Sequence, residues 1–354
     1  MKQLLKITTA LALGLVFAAG TTFAQSNNAS VDQSGDDNDA TVEQVGSSND
    51  AALTQRNYGG SGHEADLYQE GTDNMAEVLS QGGAGTNMVD LDQVGANNSA
   101  TIAQLWGQNT AEIAQTGDEN VVNVQHRGSY QSTAEVMQDG DGNVAEVLDI
   151  GQTGSNPNTG NEAVIDQDGD GNEGVVDQAG DDHSATLKQG DSAYESDGNY
   201  GDIRQEGNGN TASFSLKRGD NNDVSISQTG DQNYSEYSVA SGDGNDLDVS
   251  VEGTANRTRF SIDSDWGSFS SSNTLSVDKD GSTNYFTGSI KGSSNTVDVT
   301  QHGDANRIGS DWYTKDGVSI VGDGNSATIT QMSDMNSASV TVNGSNNTAT
   351  VTQN

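Results

Sequence analysis

Polar and apolar positions alternate along most of the chain, and the alternation restarts at a fixed interval. Asn38, Ala40, Val42, Gln44 and Gly46 stand two apart, with Asp39, Thr41 and Glu43 between them. The order recurs at Asn109, Ala111, Ile113 and Gln115, with Thr110 and Glu112 between. Residues two apart on a strand share a face. Each stretch therefore predicts a short strand whose narrow inner face holds Ala, one aliphatic residue, Asn and Gln. Gly-x-x-Asn segments such as Gly46-Ser47-Ser48-Asn49 are expected to turn the chain, because glycine and asparagine both tolerate positive φ.

The interval is eleven residues. Gln33, Gln44 and Gln55 keep it, as do Gln93, Gln104 and Gln115, and Gln167, Gln178 and Gln189. Two positions after many of them stands a glycine: Gly35, Gly46, Gly95, Gly117, Gly169 and Gly180. Three further on comes Asn38, Asn49, Asn98, Asn120 or Asn172. So sharp a period marks a repeat architecture. The predicted fold is all-β: a parallel, amyloid-like β-solenoid of strand–turn–strand rungs, each about 22 residues from two eleven-residue arcs. At roughly 4.8 Å per rung, about fifteen rungs make a rod near 70 Å long. Buried amides are costly unless bonded, but glutamine over glutamine and asparagine over asparagine can bond along the stack.

The spacing stretches at Tyr58-Gly59-Gly60, at Asn156-Pro157-Asn158 and at Tyr194-Glu195-Ser196, read as longer surface turns. Beyond Gln205 the glutamine column degrades, with Lys217, Ala240 and Val251 in what look like equivalent positions. Gln331, Val342 and Gln353 restore the interval. The expected organisation is a regular solenoid over 31–254, degenerate repeats over 255–320 and terminal repeats over 321–354, preceded by a short segment 25–30.

Composition explains why regularity is needed. Of 354 residues only 31% are hydrophobic, with a formal charge of −38. Such a chain is normally disordered, having too little apolar surface to offset the entropy of ordering. There is no cysteine, which excludes disulfides and thiolate metal sites. The acidity argues against nucleic acid and anionic membranes as partners. Residues 1–24 read as a secretory leader: Lys2 and Lys6, an apolar run from Leu11 to Ala19, then Thr22-Phe23-Ala24 before a cut. That run is too short for a membrane span, and no other stretch predicts membrane insertion. Losing the two leader lysines takes the charge from −38 to −40.

The repeat resembles that of the curlin family, Ser/Asn-x-Ala-x-aliphatic-x-Gln-x-Gly-x-x-Asn. Residues 38–49 give it nearly verbatim, from Asn38-Asp39-Ala40-Thr41-Val42-Glu43-Gln44 to Val45-Gly46-Ser47-Ser48-Asn49. Ser99-Ala100-Thr101-Ile102-Ala103-Gln104 is a second copy. The resemblance covers residues 31–230 well and the remainder loosely. It implies export through the periplasm and outer-membrane machinery of a Gram-negative bacterium. It further implies polymerisation with itself and other curlin subunits into extracellular surface fibres for adhesion and biofilm matrix. Curlin subunits carry an unstructured mature N-terminal segment used in export, whereas here only Gln25 to Ser30 precede Val31.

Other chemistry is thin. Asp139-Gly140-Asp141-Gly142-Asn143 and Asp168-Gly169-Asp170-Gly171-Asn172 look like calcium loops. Val144 and Glu173 stand where an EF-hand needs glycine, however, and Ile150 and Ala179 where it needs glutamate. Turn chemistry is the simpler reading. His63, His126, His183 and His302 are widely separated and are expected at the surface near turns. Trp106, Trp266 and Trp312 are expected as packing or turn-capping residues before sugar platforms. No catalytic, metal or cofactor site is expected. Two rival classes are a monomeric binding solenoid (adhesin, calcium-binding or ice-binding) and a β-helical enzyme acting on polysaccharide. Thr348, Thr350 and Thr352 share an outward face as ice-binding arrays do, but Asp39, Thr41 and Glu43 upstream break the array.

Overall fold

The computed structural model describes residues 26–59, 62–82, 85–150, 158–191, 196–264, 269–309 and 317–354. The leader, Pro157, Tyr194, Trp266 and Trp312 lie outside the described residues. The chain winds by alternating strand and turn into a parallel β-solenoid of about 13 turns. Successive strands go alternately to two parallel sheets. The first sheet has 14 strands, from Asn28–Ser34 and Asp50–Asn57 to Thr348–Gln353. The second begins with Asp39–Ser47 and Glu64–Thr72 and has 15. Its last two levels are each split in two, Arg307–Ile308 with Val318–Val321 and Ser337–Ala338 with Val340–Asn343.

Like residues face like because the repeat and the turn have equal effect at each level. Asp39–Ser47 pairs with Glu64–Thr72 so that Ala40, Val42, Gln44 and Gly46 meet Ala65, Leu67, Gln69 and Gly71. Levels are 22 residues apart where the turns are tight, as between Gln33 and Gln55, but 30 between Gln301 and Gln331. The strands pair in register across these longer intervals as well, so the chain completes fewer turns than the fifteen expected. Pairing continues through residues 255–320, where Arg257–Asp263 and Thr274–Ser282 each pair on both edges.

The core is one continuous file of buried alanines and aliphatics between the sheets, from Val42 and Leu53 to Ile329 and Val342. It changes character along the axis. In the second sheet the glutamine file ends at Gln189, and Leu216, Val239, Ile262, Ile290, Ile320 and Val342 follow it. Lys217 and Ala240, placed in that file by the sequence reading, stand one position beyond it. Phe214, Tyr237 and Phe260 enlarge the neighbouring file. Glycine makes room for these bulky groups: a Cβ on Gly201 would overlap Leu187, and Gly288 lies under Phe260. The second sheet is thus held by a glutamine ladder in its first half and by apolar packing in its second, while glutamines of the first sheet and the asparagines continue to bond level to level as far as Gln353 and Asn347.

Candidate functional site: the amide columns and the outer sheet face

A column glutamine with a glutamine on both sides of it is a three-way connector. Gln93 donates through Nε2 to Gln115 Oε1 at 2.8 Å and to the Met75 carbonyl of the opposite sheet at 3.0 Å, while its own Oε1 accepts from Gln69. Gln115 repeats this toward Gln138 and Ser99, and Gln167 toward Gln189 and Val144. One amide therefore ties a level to the next level and one sheet to the other. No other side chain of this length offers two donors and an acceptor without charge. Gln93, Gln104 and Gln115 are 0% exposed, and Gln55, Gln167, Gln178, Gln189 and Gln331 are also buried. Gln33, Gln44, Asn38 and Gln353, at the outermost levels, are half-buried.

The asparagines work differently from the expectation. Asn98 Oδ1 accepts the backbone N–H of Asn120 at 3.0 Å, and Nδ2 donates to the Gly117 carbonyl at 2.8 Å. Asn49, Asn109 and Asn120 likewise bond mainly to backbone. Amide-to-amide bonding of asparagines appears from Asn172 onward, where Asn199 and Asn222 each donate back to the preceding Oδ1 at 3.0 Å. Nor do the column asparagines take positive φ. The residue before nearly all of them does, as at Asp37, Ser48, Asn97 and Glu119. Asparagine closes the turn by hydrogen bonding, and its neighbour bends the chain.

The turn glycines form a column of their own. Gly46, Gly95, Gly117 and Gly169 have φ near +110° to +127°, and Gly35 and Gly180 are likewise left-handed. A Cβ on Gly95 would overlap the Gly117 carbonyl oxygen of the next level. Both the conformation and the stacking distance therefore demand glycine.

Three histidines depart from the surface expectation. His63, His126 and His183 are buried, and only His302 is partly exposed. His63 and His183 replace asparagine in its column, each accepting a backbone N–H of the next level through Nδ1. Burial lowers the pKa of both. His126 replaces glutamine and lies directly under Asp149, another substitute. Burial pushes the His126 pKa down to about 4, opposed by the Asp149 charge. Neither ring nitrogen has a protein partner. Lys279 fills the same column between Val251 and Gln301. It is 0% exposed, and burial holds its pKa well below the usual lysine value. Its Nζ donates to the Arg257 carbonyl at 2.6 Å, reproducing one of the two glutamine donations. The column phase predicts these sites once the strand start is known, since each stands two residues after the inner aliphatic residue.

The two calcium-loop look-alikes stack one on the other. The Asp141 N–H donates to Asp170 Oδ1 at 2.8 Å, and Asp118 and Asp170 continue the series to Asp141 and Asp197. These carboxylates act as turn acceptors. Among the described residues no three His, Asp or Glu side chains converge as metal ligands do. Trp106 lies in a turn with its ring 61% exposed, and its carbonyl accepts from Asn87.

The curlin associated repeat matches residues 24–56, 87–117, 159–190, 219–253, 292–332 and 322–354, more than half of the chain. The chain belongs to the curlin family. The matched stretches of this curlin protein include both the part where the second sheet's file is glutamine and the part where it is aliphatic, so the repeat tolerates aliphatics in that file. No curated protein matches the chain significantly.

Proposed function

We infer that this curlin protein is a secreted, non-enzymatic structural subunit that polymerises into extracellular fibres serving adhesion and biofilm matrix. One observation carries the reading: the ladder is in register from Asn28 to Gln353, and its outermost strands Asn28–Ser34 and Thr348–Gln353 pair on one edge only. An unpaired parallel edge templates another strand. Both outermost strands carry the repeat residues, Val31 and Gln33 at one end and Val351 and Gln353 at the other, so a second copy finds matching groups. Membership of the family supports export through the outer-membrane machinery and co-assembly with other curlin subunits as parts of this reading. Purified chain lacking residues 1–24 should pass from soluble protein to thioflavin-positive fibres with a meridional spacing of about 4.8 Å. A folded product that stays monomeric at every concentration overturns the reading.

A further inference from the structure

The outward face of the second sheet carries its charge in two separate blocks. Its early strands present Glu64, Asp66, Asp90, Asp92 and Glu112 to solvent. Burial, reinforced by Asp90, raises the pKa of Asp66 and Asp92, so this block is repulsive in isolation. Its late strands present Arg257, Arg259, Tyr285 and Arg307. Arg307 lies 4.8 Å over the Tyr285 ring, and Arg259 meets Glu236 at 3.2 Å. Between the blocks, Ser184 and Thr186 of Ser184–Gln189 occupy the seventh of the thirteen levels.

We propose that two copies of this chain associate side by side and antiparallel through this face, about a twofold axis at Ser184–Gln189. An axis parallel to the strands keeps each outward column opposite itself and places every level opposite its mirror level about the seventh. Glu64 of the second level then meets Arg307 of the twelfth. Met88 of the third meets Tyr285 of the eleventh, and Glu112 of the fourth meets Arg259 of the tenth. Two columns over from Glu112, Asp168 of the sixth meets Lys217 of the eighth. Twofold contacts are isologous, so each pair occurs twice. Two like-charged pairs arise: Glu135 with Glu236, relieved by the Arg259 bridge to Glu236, and Lys188 with its own copy at the axis, relieved by its 3.2 Å bridge to Asp166. A parallel arrangement of the same faces sets acid on acid. A second copy is the fitting occupant because both blocks lie on one face at equal distances from one level.

The chain has no cysteine, so a spin label at Thr186→Cys reports on the axis alone. Facing sheets lie about 10 Å apart, so labels across the twofold should lie within about 25 Å. Copies stacked end to end along a fibre place the same labels about 62 Å apart, thirteen levels at about 4.8 Å. The expected result is a short distance in both the soluble dimer and the fibre. It should be strongest near physiological salt, where the overall repulsion is screened, and lost near 1 M. Arg259→Glu with Arg307→Glu should abolish it, and adding Glu64→Arg with Glu112→Arg should restore it. Only long distances, or a short distance indifferent to the charge reversals, overturns the proposal. Fibre growth is scored in the same samples, so loss of lateral pairing is separated from failure to polymerise.

Discussion

Gln115→Glu changes one atom type at a site whose three bonds are all seen, which makes it the sharpest perturbation of the ladder. The native amide donates to Gln138 Oε1 at 3.0 Å and to the Ser99 carbonyl at 3.3 Å, and accepts from Gln93 at 2.8 Å. An ionised carboxylate keeps the acceptance and turns both donations into oxygen–oxygen contacts. Each buried acceptor left without its hydrogen costs about 1–3 kcal/mol, and a buried charge with an incomplete shell adds to that. The total is about 3–5 kcal/mol at neutral pH. Burial should raise the pKa of the introduced carboxyl above about 4.3. Below that value both folded and unfolded chains are protonated and the charge cost vanishes. It grows as pH rises through about 4.3 and levels off above the folded pKa. The assay is urea denaturation followed by circular dichroism at about pH 7 and about pH 3, with Glu77→Gln, exposed on the first sheet, as an outward-facing control expected within about 0.5 kcal/mol of native. Because nearest-neighbour turns dominate a solenoid, amide exchange in Ser99–Leu105 and Thr133–Asp139 should rise before that of distant strands. Native-like stability of Gln115→Glu at neutral pH would refute the three-bond description.

Lys279→Gln should stabilise the chain by about 1–2 kcal/mol, since glutamine supplies both the Arg257 carbonyl and Gln301 Oε1, which now lacks a partner; a lower urea midpoint counts against this. With lysine present, the unfolded chain binds a proton that the folded chain resists, so stability should rise as pH climbs toward about 10.4, and the variant should lose that slope. His126 should act in the same sense at lower pH: stability falls as pH drops from 6.5 to about 4, and His126→Gln should reduce the slope by about one proton. Gly95→Ala, with φ at +127° and the Gly117 carbonyl in the way, should cost at least about 2 kcal/mol by thermal unfolding; an unchanged melting temperature refutes it. Fibre growth of so acidic a chain should accelerate with salt, with divalent cations and toward pH 4.1, and faster growth in low-salt neutral buffer contradicts that expectation.

The eleven-residue period was enough to read the fold class, the inner face and the glutamine columns, because strand parity and stacking register are both set locally. It failed where position and residue type separate. His126, Asp149 and Lys279 sit in the glutamine column without an amide, Lys279 reproducing only one of its donations, and a reading by residue type sends them to the surface. Lys217 and Ala240 were misplaced by one because the spacing from glycine varies between levels. The asparagine role was half legible: the residue is required at the turn, but which of its bonds matters depends on the carbonyls that the next level brings within reach. The number of turns depends on how many inserted residues each turn absorbs, which spacing alone does not reveal. The charge blocks on the second sheet were invisible until register placed Glu64, Glu112, Arg259 and Arg307 on one face.

The ladder is tested most directly by site-resolved hydrogen exchange of the side-chain amides of Gln93, Gln104 and Gln115 in the folded protein. Protection comparable to that of the neighbouring strand amides is expected, because these hydrogens open only when a level unravels. Exchange at the rate of free glutamine would contradict a dry, bonded column and remove the physical basis for both fold and fibre.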